Sequence, residues 1–288
     1  MPSPRLTSIA PPLFVVIWST GFIVARLVAP HAEPLTFLLV RYALAGLVLA
    51  FIALVARARW PGSARSWRDG LVAGALLHGF YLGGVFWSVK HGLPAGISAL
   101  VAGLQPLVTA ALAGPLLGER VSRRRWLGIG LGFLGACLVV LPKLGAGVPP
   151  LSLGVAVLGM LSMTLGTLWQ KRTGGEVDLR VNAVIQYIGA ALVTLPLVLL
   201  AEQRRMELTL PLFAGLLWAV FGLSIGAVGL LLYLIRQGAV VGVATLLYLV
   251  PPVAALMAFG LFGETLSLVQ IAGMALAAIG VYGAMRPT

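Results

Sequence analysis

The chain is a succession of ten apolar stretches separated by short segments that hold most of its charged residues. Each stretch runs for roughly 18 to 24 residues, and about 20 helical residues cross the ~30 Å hydrocarbon core of a membrane. The pattern predicts ten transmembrane helices, near residues 10–29, 35–55, 70–88, 95–117, 124–141, 152–170, 181–200, 212–235, 239–262 and 267–285. The predicted fold class is therefore an all-α integral membrane protein.

The composition agrees with a chain that lies mostly inside a membrane. Of 288 residues, 60% are hydrophobic and 10% are charged, with a mean hydropathy of +1.03. Soluble globular domains carry about 25% charged residues, so a soluble protein is excluded. The net charge of +12 comes from basic residues between the apolar stretches. Because residues there orient helices, we expect no nucleic acid as a partner.

Both the first stretch and the cysteine content bear on processing. The first stretch is as long as the others and lacks a small-residue cleavage site, which predicts a retained helix rather than a signal peptide. Cys137 is the one cysteine and lies inside an apolar stretch, so no intramolecular disulfide forms.

The second half of the chain repeats features of the first at a constant offset of 145 residues. The matches are Pro251 with Pro106, Gly263-Glu264 with Gly118-Glu119, Ser267 with Ser122, Gly273 with Gly128, Gly280 with Gly135, Gly166 with Gly21, and Tyr187 with Tyr42. A constant offset that preserves the spacing from Pro to Gly-Glu indicates an internal repeat. We predict two five-helix repeats, residues 1–145 and 146–288, with the seam near Pro149-Pro150.

The loops predict an orientation. With the N-terminus in the cytoplasm, fourteen of the twenty Lys and Arg residues fall on the inner side; five fall outside, namely Arg26, Lys90, Lys143, Arg204 and Arg205. Cytoplasmic loops are enriched in these residues, so both termini are predicted to be cytoplasmic. A repeat of five helices, an odd number, makes the second half enter the membrane from the opposite side. Such an inverted repeat supplies two conformations of similar energy, as alternating access requires.

The segments that close the fourth helix of each half carry a family resemblance. They read GPLLGERVS at residues 114–122 and FGLFGETLS at residues 259–267. With its ten predicted helices in two halves, the chain resembles the EamA-type drug/metabolite transporters, and within them it is most similar to bacterial exporters of amino acids, aromatic ones included. The resemblance implies a secondary or facilitative transporter of the bacterial inner membrane. Members of the superfamily carry amino acids, nucleotide sugars, sugar phosphates and drugs.

Polar and aromatic side chains at mid-membrane depth are the candidates for substrate binding, because polarity there is expensive. They are Trp18, His78, Tyr81, Gln105 and Tyr248. His78 and Tyr81 are three residues apart and share one helix face. A structural interpretation stays open beside each: His78 and Gln105 could instead join helices through hydrogen bonds. Trp18 is more central than a tryptophan of the membrane interface should be.

Prolines and one buried charge complete the set of candidates. Pro106, Pro251 and Pro252 are predicted to weaken the fourth and ninth helices at equivalent depths, so that these helices bend as gates open and close.

Arg41 is the one full charge inside a helix, about six residues or ~9 Å from its outer end. We expect its side chain to reach outward or to bond helix-end carbonyls. The alternative is an anchor for an anionic group of the solute.

What the chain lacks narrows the substrate. All eight acidic residues lie at helix ends or in loops, whereas exporters of cationic drugs usually need a buried carboxylate. No nucleotide-binding loop ending in GKS or GKT occurs, and no cofactor or metal is expected. We predict export of neutral amino acids, apolar or aromatic, with the lipid bilayer as the other partner. The alternatives are another small metabolite or drug, such as a nucleotide sugar, a sugar phosphate or an amphipathic compound. The oligomeric state stays open, and a monomer is compatible with these features.

An enzyme is the rival class. Residues 222–226 read GLSIG and match the G-x-S-x-G pattern of serine hydrolases, with His78 as a conceivable base. That pattern needs a strand-to-helix turn, and here it falls inside a predicted helix. An intramembrane serine hydrolase is therefore only a remote alternative, and we predict that the protein is not an enzyme.

Overall fold

The computed structural model describes residues 4–93, 95–118, 121–143, 148–173, 177–237, 240–262 and 266–285, and these ranges contain helices and no strand. We number the helices in chain order. They are α1 Pro4–Val28, α2 Pro34–Val55, α3 Ala64–Lys90, α4 in two pieces, Ala95–Ala102 and Gln105–Leu117, α5 Arg123–Val140, α6 Pro150–Thr173, α7 Leu179–Ala201, α8 Leu210–Gln237, α9 in three pieces, Val240–Thr245, Leu246–Leu249 and Val250–Phe262, and α10 Leu268–Met285. The predicted all-helical fold is confirmed.

Eight of these helices are long and apolar enough to cross a membrane, namely α1 to α4 and α6 to α9. α5 begins with the polar run Arg123–Arg125, and the apolar part of α10 covers only Leu268–Ala284. The count of ten membrane crossings therefore stays a prediction for these two helices.

α5 and α10 pack backbone to backbone through glycines. A Cβ atom on Gly128 would lie 2.6 Å from the Gly280 carbonyl oxygen, and one on Gly135 would lie 2.6 Å from that of Gly273. Real Cβ atoms do not approach so closely, so only glycine fits. Gly128 and Gly135 are the counterparts of Gly273 and Gly280 at the offset of 145 residues. Each residue thus contacts the counterpart of the other, which is the pattern of a two-fold relation between repeats.

The irregular segments of the long helices also occur in equivalent pairs. α3 is π-helical over Ala75–Phe80, and α8 is π-helical over Ala219–Ala227, which the same offset places on residues 74–82. α4 is interrupted at residues 103–104 and α9 narrows to a 3₁₀ turn at Leu246–Leu249, the counterpart of residues 101–104. π segments and breaks leave backbone carbonyls without their usual helical partners. They therefore mark where side chains or ligands can bond the backbone.

Two tyrosines use the carbonyls of the π segments. The Tyr42 hydroxyl on α2 donates to the His78 carbonyl oxygen at 2.9 Å, and the Tyr187 hydroxyl on α7 donates to the Ser224 carbonyl oxygen at 2.8 Å. The two rings stack on each other with centroids 5.9 Å apart and an 18° angle between planes. Helices α2 and α7 therefore meet at a tyrosine pair, and each tyrosine ties its own repeat to a π segment. The equivalence of Tyr42 and Tyr187 in the two repeats suggests a shared packing role, and the stacked rings fill that role.

On the predicted outer side, the two halves are joined by the loops. The Glu202 carboxylate accepts hydrogen bonds from the backbone N–H groups of Leu35 and Thr36 at 2.8 and 2.7 Å, and from the Thr36 hydroxyl at 2.7 Å. It thereby satisfies the free donors at the start of α2. An isolated antiparallel bridge between Ala32 and Met206 continues the contact.

Some predicted boundaries are wrong for identifiable reasons. α3 begins at Ala64 rather than residue 70, because the Ser63 hydroxyl caps the Ser66 N–H and starts a polar first turn. The fourth helix is predicted as one piece over 95–117 but is broken at residues 103–104, where glycine and the following proline weaken it. Glu119, Gly263-Glu264 and the predicted seam between residues 145 and 146 lie outside the described residues.

Candidate functional site

The candidate site is a small cavity between α1, α2, α3 and α8. Trp18, Arg41 and Tyr81 line it, together with the apolar side chains of Phe22, Leu82, Val85, Phe86, Leu223 and Val228 and with Gly21. Its volume is about 40 Å³, enough for about three water molecules at roughly 10–15 Å³ each. Most of the lining side chains are apolar. The polar groups among them are the Trp18 indole, the Tyr81 phenol and the Arg41 guanidinium.

A second, smaller cavity of about 10 Å³ adjoins the first and shares Trp18, Phe22 and Tyr81 with it. Its remaining walls come from the interrupted parts of α4 and α9: Ala102 and Gly103 on one side, Leu247 and Val250 on the other. Ala102 and Leu247 are equivalent in the two repeats. The cavities thus run from the buried arginine to both helix breaks.

Trp18 and Tyr81, both predicted as site residues, lie at the junction of the two cavities. The Trp18 indole N–H, which can only donate, lies close to the Tyr81 side chain. Phe14, one turn earlier, packs its ring 5.1 Å from the Trp18 ring. The next residue, Ser19, donates to the Val15 carbonyl oxygen at 2.7 Å and to that of Val250 at 3.4 Å. α1 is thereby held against the break of α9 beside the cavity.

Arg41 differs from its expected position. Its side chain neither reaches the outer surface nor bonds helix-end carbonyls; it is 3% exposed and lines the cavity. Nε donates to the Ser224 hydroxyl in the π segment of α8 at 2.8 Å. Among the described residues, no ion pair includes Arg41. The outward interpretation is therefore wrong, because the π segment offers an acceptor inside the protein that sequence alone does not reveal.

His78, predicted to bind substrate, does not line either cavity. Its Nε2 lies 3.2 Å from Gln186 Oε1, and the Gln186 amide nitrogen donates to Gln170 Oε1 at 2.7 Å. Gln186 thus offers its oxygen to His78, which assigns the proton to Nε2. The His78 ring also packs against Tyr187, with centroids 5.1 Å apart. This hydrogen-bonded chain joins α3, α7 and α6. The arrangement agrees with the alternative interpretation, in which His78 joins helices through hydrogen bonds.

Gln105 is buried at the start of the second piece of α4 and lines neither cavity. Its Oε1 atom has no hydrogen-bond partner among the described residues, and neither has the Thr109 hydroxyl one turn later. Buried polar atoms of this kind usually have partners. Gln105 therefore stays a candidate for ligand binding that the cavity geometry does not include.

Tyr248 is fully buried in the 3₁₀ turn of α9, and it points to α5 rather than to the cavity. A Cβ atom on Gly132 would lie 2.7 Å from its ring, and the Phe133 ring centroid lies 6.4 Å away. Its neighbours Leu247 and Val250 line the second cavity instead. The Tyr248 hydroxyl has no partner among the described residues.

The three predicted hinge prolines follow the helix breaks. Pro106 is buried just after the interruption of α4 and cannot donate to the carbonyl of Ala102, four residues earlier. Its counterpart Pro251 cannot donate to Leu247, whose carbonyl instead accepts the N–H of Val250 in the 3₁₀ turn. Pro251 and Pro252 lie in the first turn of the last piece of α9. Each proline thus stands next to a weak point that lines the second cavity; bending there stays a prediction.

Two acidic residues outside the spans bind backbone N–H groups, Asp178 at a helix start and Glu33 in a loop. Asp178 caps α7 through the backbone N–H of Arg180 at 2.9 Å, and hydrogen bonds from the Arg180 side chain lower the pKa of the carboxyl to about 2. Desolvation tends to raise the pKa of Glu33, but hydrogen bonds from backbone N–H groups, that of Arg205 first, together outweigh it and lower the pKa. No acidic side chain lines the two cavities as the described residues define them.

Two of the three polar cavity residues, Trp18 and Tyr81, could be predicted from the sequence. For Arg41 the sequence favoured the outward interpretation and left an anchor for an anionic group of the solute as the alternative. The available signal was the presence of a full charge about two turns inside an apolar helix, which is expensive and usually functional. Ser224, the other residue that sequence reasoning missed, belongs to the GLSIG segment. Its hydroxyl accepts from Arg41 within a π-helical segment and not at a strand-to-helix turn.

Comparisons with known proteins follow the same two-part division. The profile of the EamA-like transporter family matches residues 12–141 and again residues 151–286. The inner membrane transporter YedA of Escherichia coli strain K12 is 28% identical over 88% of this chain and 82% of its own. Protein PecM of Dickeya dadantii is 29% identical over 90% and 85%. A protein of Salmonella typhimurium named "Probable amino-acid metabolite efflux pump" is 26% identical over 94% and 91%.

The fold has been seen in a crystal structure as well. That structure superposes with a TM-score of 0.79 over 96% of each chain, at 18% sequence identity. The two profile matches together cover most of the chain and bear out the resemblance read from its motifs. Two of these relatives are named as a transporter and an efflux pump, and neither name is that of an enzyme. The protein is a membrane transporter and belongs to the EamA-like transporter family.

Proposed function

We propose that this transporter exports neutral amino acids with apolar or aromatic side chains, through alternating access of the cavity that Trp18, Arg41 and Tyr81 line. The observation that carries the proposal is the character of this cavity. Large apolar and aromatic walls surround a few polar groups, which is the composition of a site for a small amphipathic solute. Trp18 and Tyr81 each add an amphipathic ring that can face either part of such a solute.

The comparisons favour the same substrate class. One relative, matched along most of both chains, is named an amino-acid metabolite efflux pump. At 26% identity this supports a class of substrate and a direction, and the proposal takes both from it.

The size of the cavity favours a transport cycle with large movements. A volume of about 40 Å³ does not hold an amino acid, so the surrounding helices must separate before the substrate enters. The breaks of α4 and α9 line the adjoining cavity, and such breaks are where helices bend with least cost. We infer that bending there opens the cavity to one side of the membrane at a time, with the termini cytoplasmic and the second repeat inverted.

The decisive test is flux into proteoliposomes of the purified protein, with a panel of labelled amino acids, nucleotide sugars, sugar phosphates and cationic dyes, and protein-free liposomes as the control. We expect saturable flux of phenylalanine or leucine and none of nucleotide sugars. Flux of dyes or phosphorylated sugars without amino-acid flux would replace the proposed substrate class.

The topology has its own test. In a Cys137→Ser background, single cysteines introduced between Lys143 and Pro150 should react with a membrane-impermeant reagent from outside intact cells. A reporter fused after Arg286 should remain cytoplasmic. Labelling of residues 120–125 from outside would overturn the orientation.

A further inference from the structure

Arg41 is a buried cation without an ion-pair partner in the described part of the chain. The residue is 3% exposed and lines the cavity of about 40 Å³, yet none of the ion pairs among described residues includes it. Its hydrogen bond from Nε goes to a neutral hydroxyl, that of Ser224. The stacked rings of Tyr42 and Tyr187 and the neutral His78 imidazole are further polar neighbours. An isolated buried charge is costly, so an arrangement of this kind favours a ligand of opposite charge.

The geometry leaves the right donors for such a ligand. A guanidinium carries five N–H donors in a planar fork that matches a carboxylate with two parallel hydrogen bonds. The Ser224 hydroxyl accepts the hydrogen bond from Nε–H, which leaves the terminal N–H groups of the fork. In the hydrogen bonds of the described residues Arg41 takes part through Nε alone, which makes its terminal nitrogens the donors left for the cavity.

We propose that Arg41 binds the carboxylate of the substrate, and that the site therefore selects hydrophobic monocarboxylates rather than amines. The walls of the cavity support the second half of this statement. Phe22, Val85, Phe86 and Leu223 suit an apolar side chain, whereas no acidic side chain among the described lining residues would receive an ammonium group. The proposal rests on the proposed function in one respect, namely that this cavity is the substrate site.

The test uses the wild-type protein and two analogues of nearly the same shape as phenylalanine. 3-Phenyllactate keeps the carboxylate and replaces the ammonium by a hydroxyl, whereas phenylalaninamide keeps the ammonium and loses the carboxylate charge. In proteoliposomes, each analogue competes with labelled phenylalanine in counterflow, with protein-free liposomes to correct for leakage. We expect phenyllactate to compete within severalfold of unlabelled phenylalanine, and phenylalaninamide to compete about tenfold to a hundredfold less well. Equal competition by the two, or stronger competition by the amide, would overturn the proposal.

Variants of Arg41 connect the preference to the residue. Arg41→Gln should lose the discrimination between the two analogues, and Arg41→Lys should retain the preference with a weaker affinity, because lysine keeps the charge without the fork. Thermal unfolding in detergent separates binding from folding: phenyllactate should raise the Tm of the wild type and not that of folded Arg41→Gln. Arg26→Gln, a change near the end of α1 and away from the cavity lining, is the matched control and should leave the preference intact.

The outcomes distinguish this proposal from the proposed function. Flux of phenyllactate without flux of phenylalanine would remove amino acids as substrates and leave the carboxylate site standing. Flux of phenylalanine with equal competition by phenylalaninamide would leave amino-acid transport standing and remove the role of Arg41.

Discussion

Helices α2 and α7 occupy equivalent places in the two repeats, and at one position they differ in a way that explains the asymmetry of the site. Arg41 of α2 corresponds to Gln186 of α7 at the offset of 145 residues. Arg41 bonds Ser224 in the π segment of α8, and Gln186 bonds His78 in the π segment of α3. Each side chain thus joins its helix to the π segment of the other repeat.

The equivalent positions of the two repeats therefore carry different chemical groups, a charged one on α2 and a neutral one on α7. On the α7 side, Gln186, His78 and Gln170 form a neutral chain of hydrogen bonds that closes the space between helices. On the α2 side, a cation and a hydroxyl stand beside a cavity. The repeat supplies two equivalent positions that hold different residues. Gln186 makes a helix contact, and Arg41 is a candidate binding group. The result is a repeated scaffold with a candidate site beside α2 and a closed helix contact beside α7.

The largest expected effect comes from removing the charge of Arg41. Arg41→Met should lower amino-acid flux by about tenfold to a hundredfold, because a charge-assisted hydrogen bond to a carboxylate contributes about 1.5–3 kcal/mol. The Tm in detergent should stay the same or rise, because replacing a buried charge by an apolar side chain of similar size is often neutral or stabilising. Flux assays and thermal unfolding of one preparation measure both. A large drop in Tm with proportional loss of flux would make Arg41 a structural residue.

The equivalent change on α7 should act in the opposite way. Gln186→Leu leaves His78 and Gln170 without their partner, which should lower the free energy of unfolding by about 1–3 kcal/mol. Flux per folded molecule should change less than in Arg41→Met. The matched control is the double variant His78→Leu/Gln186→Leu, in which both partners are apolar, and part of the stability should return. A loss of flux without a loss of stability would instead make this chain part of the transport path.

The helix breaks offer a comparison at a second pair of equivalent positions. Pro106→Ala and Pro251→Ala each restore a backbone donor beside a break, so each should stiffen its helix and slow counterflow severalfold. Equilibrium affinity should change little, because neither proline lines the cavities. Binding measured by thermal shift beside flux separates the two quantities. Unchanged flux in both variants would count against bending at the breaks, and slowing in only one would show that the two gates differ.

The smallest effect is expected for the tyrosine pair. Tyr42→Phe and Tyr187→Phe each remove one hydrogen bond to a π-segment carbonyl and keep the stacked ring, so each should cost about 1 kcal/mol in unfolding free energy. Similar losses would indicate that the two π segments are supported alike. A far larger loss for either variant would contradict the equivalence of the two halves as scaffolds.

Periodicity and composition determined much of this protein. Long apolar stretches can satisfy their backbone in a membrane only as helices, so the helical fold and its order could be read from the chain. The glycines at 128, 135, 273 and 280 could be read as members of the repeat from their constant offset. Their close contacts, which small residues allow, are seen only in the packing of α5 on α10. Trp18 and Tyr81 could be predicted as candidates because polar groups at mid-membrane depth are costly and are usually functional.

Tertiary structure decided what these residues face. His78 and Tyr81 share a helix face by spacing, but only Tyr81 lines the cavity, because α7 presents Gln186 and Tyr187 to His78. Tyr248 lies next to residues that line the second cavity, but the 3₁₀ turn of α9 directs its ring onto Gly132. Arg41 could be predicted as unusual, but its direction depends on an acceptor in a helix 183 residues away in the chain. Contacts between distant helices depend on packing and on π or 3₁₀ irregularities, and neither leaves a periodic signal in the sequence.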